Sequence, residues 1–206
     1  MTDASPASHE DLAYVRRLAE SGARSPLIGG RFMAWWGLLG SLAYAAHHLA
    51  LSRTIGDGDT IFFYLWSGFV ALGLLGQVVL VRTMPAKAGE GSAGNRASRA
   101  VWLAAAFAIA SMVTGTVILS QSAGPAVFDW IVPTAFAVYG CALIVSGALA
   151  GDRIVQAAGA ASIVMVGLFA ASILHPDRYL LAAAGIAATV LLPGLLLLAR
   201  EPRAQG

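Results

Sequence analysis

Six apolar runs, each about 20 residues long, alternate with short polar stretches along the chain. They cover residues 32–51, 61–81, 101–119, 130–150, 154–174 and 179–199, and no Asp, Glu, Lys or Arg lies inside any of them. A helix of that length crosses the hydrocarbon core of a bilayer. Barrel strands would be about 10 residues long and would alternate in polarity, which these runs do not. The pattern therefore predicts an all-α, polytopic integral membrane protein. It has six transmembrane helices in three antiparallel hairpins, plus a short N-terminal amphipathic helix.

The hairpin at residues 31–82 is the most distinctive. Its two runs are joined by a Gly/Asp-rich loop and flanked by Arg31 and Arg82. The odd runs open just after Arg31, Arg99 and Arg153, and the even runs just after Asp59, Asp129 and Asp177. Three copies of one hairpin would give this pattern. So would the general need for charges at span ends.

Residues 1–30 form a polar leader. Ser8 with Asp11 resembles a capping box and Gly22 a helix stop. Between them Leu12, Val15, Leu18 and Ala19 fall at helical spacing, with Arg16 and Arg17 beside the stripe. Such a helix suits a membrane surface or a protein partner, so Leu12, Val15, Arg16, Arg17 and Leu18 are the candidate partner contacts. Too many residues precede the first run for an ordinary signal peptide, and that run reads as an uncleaved anchor. Residues 82–100, rich in Gly, Ser and Ala, read as a flexible basic loop, and residues 201–206 as a short tail.

Composition fits this picture: 58% of residues are hydrophobic and only 12% charged. Soluble domains carry about 25% charged residues. The net charge of +2 gives no case for nucleic acid, because the arginines sit beside apolar runs where they set topology. Eleven basic residues fall on one side: Arg16, Arg17, Arg24, Arg31, Arg82, Lys87, Arg96, Arg99, Arg153, Arg200 and Arg203. The other side has Arg53 and Arg178. This bias predicts both termini in the cytoplasm. The excess of arginine over lysine, with abundant Ala and Gly, is associated with bacterial chains, so the expected location is a bacterial inner membrane.

Candidate chemistry is sparse. The lone Cys141 excludes an internal disulfide. His47 and His48, near the outer end of the first run, differ in direction by about 100° and cannot face one neighbour. With His175 they are the candidate metal ligands, since imidazole and carboxylate bind divalent ions and paired histidines can hold haem iron. No HxxxH or HExxH spacing supports this, and interfacial histidines satisfied by water and headgroups are the competing expectation. Gln77 and Gln156 can bridge helices. Pro133 and Pro193 are expected to kink their spans. Gly147xxxGly151, Ser111xxxGly115 and Gly167xxxAla171 offer flat faces for close helix contact. Trp35, Trp36, Trp102 and Trp130 suit an interfacial belt, and the deeper Trp66 suits packing inside the bundle.

No hydrolase elbow, P-loop or paired intramembrane aspartate occurs. The expectation is therefore no catalytic residue, no enzyme activity and no cofactor. A membrane partner subunit or regulator fits best, in contact with the lipid bilayer and with a cytoplasmic or membrane protein, and a homo-oligomer is compatible with the small-residue faces. The alternatives are a small transporter or channel for a neutral or weakly polar solute, and a metal- or haem-binding protein using the outer-face histidines.

Overall fold

A computed structural model describes Tyr14 and residues 27–55, 60–85 and 90–201. Of the described residues 87% are helical, and none lies in a strand. The proposed leader contacts Leu12, Val15, Arg16, Arg17 and Leu18 lie outside the described residues.

The apolar runs fold as α1 (Gly30–Leu51), α2 (Thr60–Thr83), α3 (Ala93–Ala123), α4 (Ile131–Ala150), α5 (Arg153–Ala171) and α6 (Arg178–Arg200). A 3₁₀ helix, Pro125–Trp130, leads into α4. Helices α2 to α6 are long and apolar enough to cross a membrane. The 22-residue α1 is as long, but Trp35, Trp36, Tyr44, His47 and His48 dilute its hydropathy. The molecule is an all-α polytopic membrane protein.

One boundary differs strongly from the apolar runs, and one helix is irregular inside. Helix α3 has 31 residues and starts at Ala93, inside the segment expected to be loop. Ser92 sets that start: its hydroxyl accepts hydrogen bonds from the Asn95 backbone N–H at 3.2 Å and from Asn95 Nδ2 at 3.1 Å. In α6, the stretch Ala187–Leu191 is a π-turn just before Pro193. Proline has no N–H for the carbonyl four residues back, and the helix absorbs that loss by widening. Pro133, close to the start of α4, falls in a regular helix.

Side by side, the helices run α2, α1, α6, α5, α4, α3. The closest packing is between α4 and α5, joined by the tight turn at Gly151 and Asp152, and between α1 and α6, the first and last spans. Gly151 takes φ 68°, a left-handed position that glycine adopts without strain. Helices α2 and α3 sit at the edges, and α2 buries only Gly73. Lipid is the natural cover for their apolar outer faces.

Glycines explain the two close pairs. Gly30 and Gly37 lie two turns apart on α1, as do Gly140 and Gly147 on α4. A Cβ on Gly37 would come within 2.6 Å of the Leu191 backbone N, and one on Gly159 within 2.8 Å of the Gly140 carbonyl. Without lipid-driven association, such close backbone approach is what holds membrane helices together. Of the small-residue faces noted in the sequence, only the one at Gly147 packs inward, where a Cβ would come within 2.8 Å of the Gln156 backbone N. Gly115 and Gly167 face open space.

Phe136, Phe169, Leu143, Val132 and Val155 fill the centre. Ser162 Oγ donates to the Phe136 carbonyl at 2.8 Å, and the Ser98 and Ser146 hydroxyls bond at 2.9 Å, tying α5 and α3 to α4. Thr189 and Thr116 hydroxyls return to carbonyls of their own helices. Trp35 and Trp36 are not free belt residues. Their rings sit over Gly76 and Gly73 of α2, and their indole N–H groups donate to the Gly73 carbonyl at 3.3 Å and to Gln77 Oε1 at 3.0 Å. Gln156 Nε2 likewise donates to the Gly147 carbonyl at 3.3 Å. Both amides therefore bridge helices.

Candidate functional site

Polar side chains concentrate at the two ends of the bundle. At the end opposite Gly30 and Arg200, the 3₁₀ turn carries Asp129 to the start of α6. The turn is set by Gly124 (φ 81°) and Pro125. Arg178, the first residue of α6, reaches Asp129 with Nε and Nη2, each at 3.4 Å. Both side chains are mostly buried, at 21% and 16% exposed. The Tyr179 hydroxyl donates to Asp129 Oδ1, and the Arg178 guanidinium lies 4.8 Å above the Tyr179 ring. A carboxylate held by a guanidinium and a phenol is a satisfied acceptor, not a free base.

His47 and His48 diverge, as helical geometry requires. The His47 ring packs on Tyr179 with centroids 3.9 Å apart, and its Nδ1 accepts the Trp66 indole N–H at 3.1 Å. That bond puts the proton of a neutral His47 on Nε2. Trp66 packs against the core beside Tyr44, its ring centroid 5.0 Å away, as its depth in the sequence suggested. His47 thus belongs to an aromatic seam of Phe62, Trp66, Tyr44 and Tyr179 that joins α1, α2 and α6.

His48 instead faces the turn between α5 and α6. Its Nε2 is 3.8 Å from Asp177 Oδ1, while His175 Nδ1 is 3.8 Å from Asp177 Oδ2. One aspartate thus stands between two of the three candidate ligands, and His47 is turned elsewhere. His175 Nδ1 also accepts the Asp177 backbone N–H at 3.2 Å. Among the described residues, no three His, Cys, Asp or Glu side chains form a group that could hold a metal ion. Cys141 is exposed on α4, apart from this cluster.

The second polar cluster joins the start of α1 to α3 and to the end of α6. Asn95 Oδ1 accepts the Ile28 N–H at 3.0 Å. Glu201 Oε1 accepts the Gly29 and Gly30 N–H groups at 3.1 and 2.8 Å. The unfilled donors at the start of α1 are thereby capped by a carboxylate from the end of α6. The root of the leader is fixed to α3 and α6 at one point.

In the sequence, Asn95 and Glu201 carry no pattern of their own, Arg178 marks topology, and Asp129 opens a span as one of the outer-face carboxylates grouped with the candidate histidine ligands. No family model matches the chain, and neither a curated protein nor a solved structure does.

Proposed function

We propose that this chain is a non-catalytic partner subunit or regulator in a bacterial inner membrane, with both termini in the cytoplasm. The observation that carries the reading is the clasp of Ile28, Gly29 and Gly30 by Asn95 and Glu201. A leader that served only as a loose tail would need no such root. Here residues 28–30, where the leader joins α1, are held by Asn95 near the start of α3 and by Glu201 at the end of α6. Two further features agree. The hydroxyls of Ser98, Ser146, Ser162, Thr116 and Thr189, buried in the bundle, are already bonded to helix partners, and the centre is filled by Phe136, Phe169 and Leu143. The eleven-to-two bias of basic residues supports the orientation.

A small transporter is the second reading, favoured by the π-turn before Pro193 in α6. Broken helices form the midplane sites of transporters.

Deletion of residues 1–22 separates the two. The partner reading expects the bundle to insert and unfold as the full chain does, while a cytoplasmic partner is no longer recovered in a pull-down. Leu12→Asp with Val15→Asp should mimic the deletion, and Arg16→Ala alone should do less. If the truncated chain recovers the same proteins as the full one, the leader is only a tail and the transporter reading gains.

A further inference from the structure

We infer that the hollow between the ends of α4 and α6 at the terminal end of the bundle binds one anionic phospholipid. The hollow is half open, about 160 Å³ in volume, and is lined by Leu27, Ala150, Asp152, Leu197 and Arg200. Its floor is apolar: Leu27 and Leu197 are buried, at 7% and 6% exposed. Its rim is charged, and it lies where two spanning helices end, the depth at which lipid phosphates begin.

The charges there do not cancel as a simple count suggests. Asp152 Oδ1 accepts the Ile154 and Val155 N–H groups at 2.9 and 3.1 Å, capping α5. Glu201 caps α1 in the same way. Both carboxylates are thus matched by the positive ends of helices. The Arg200 side chain, on the rim, makes no hydrogen bond or ion pair among the described residues, and neither does that of Arg153, which follows Asp152. Arginines with no anion among the described residues, beside an apolar hollow at headgroup depth, fit a phosphate above and part of an acyl chain below. Zwitterionic lipid satisfies the floor but not the rim. Free phosphate satisfies the rim but not the floor.

The test uses the full chain purified in a neutral detergent. Phosphatidylglycerol, phosphatidylcholine or inorganic phosphate is added, and bound lipid is counted by native mass spectrometry. One phosphatidylglycerol should be retained in preference to phosphatidylcholine. Its occupancy should fall about fivefold for each of Arg153→Gln and Arg200→Gln. Both are exposed positions, so the variants should fold. Ala150→Trp, which fills the hollow, should also displace the lipid, whereas Arg53→Gln at the far end should change nothing. Equal retention of the two lipids, wild-type occupancy in the double arginine variant, or protection of the site by inorganic phosphate alone would each overturn the inference.

Discussion

Leucine at Gly37 is expected to prevent the folded bundle from forming. A Cβ there would come within 2.6 Å of the Leu191 backbone N and 2.7 Å of its Cα. No rotamer change relieves a clash with backbone, so α1 and α6 must separate. Overpacking a core costs about 1–3 kcal/mol even where side chains can yield. Here the cost should exceed that range, against a typical total stability of about 5–15 kcal/mol. Gly159→Val should do the same between α5 and α4, where the Gly140 carbonyl is the obstacle. Gly115→Leu and Gly167→Leu have open space and should change stability by less than about 0.5 kcal/mol. Thermal unfolding and monodispersity in detergent distinguish these outcomes. Equal tolerance at Gly37 and Gly167 would contradict the α1–α6 packing.

Asp129→Ala is expected to be the most damaging change among the polar residues. It leaves Arg178 mostly buried without its anion and Tyr179 without its acceptor. Breaking a fully buried pair costs about 3–5 kcal/mol. With each partner still about one fifth exposed, a loss of about 2–3 kcal/mol is expected. Replacing both partners, as Asp129→Leu with Arg178→Met, should recover most of it, because the penalty comes from the stranded charge rather than from the missing contact. A double-mutant cycle read by chemical unfolding in detergent measures this coupling. Additive losses would show that the two side chains do not act as a pair.

The six helices were legible in the sequence because a bilayer imposes length and apolarity on every span. Helix α1 was read from its length and its flanking arginines, despite its aromatic and histidine content. The divergence of His47 and His48 followed from helical geometry alone. Other features were hidden for physical reasons. In a chain whose solvent is itself apolar, a small-residue stripe facing lipid resembles one facing a helix, so Gly167 and Gly147 could not be told apart. The contact glycines Gly30 and Gly37 on α1, and Gly140 and Gly147 on α4, recur at seven-residue spacing, and of these only Gly147 also belongs to one of the four-residue small-residue motifs noted in the sequence. Asp129 and Arg178 looked like ordinary span-end charges, because interfacial anchoring and a buried pair leave the same trace. Asn95 and Glu201 act only once α3 and α6 bring them to the leader, a relation with no local signature. The candidate partner contacts of the leader fall outside the described residues.

The central claim is a six-span bundle with both termini on the cytoplasmic side, and it depends on α1 crossing the membrane. Reporters active only in the cytoplasm, fused after Gly206, within residues 88–94 and near Gly58, test it directly. The account predicts activity at the first two positions and silence near Gly58. Activity near Gly58, or silence after Gly206, would contradict it.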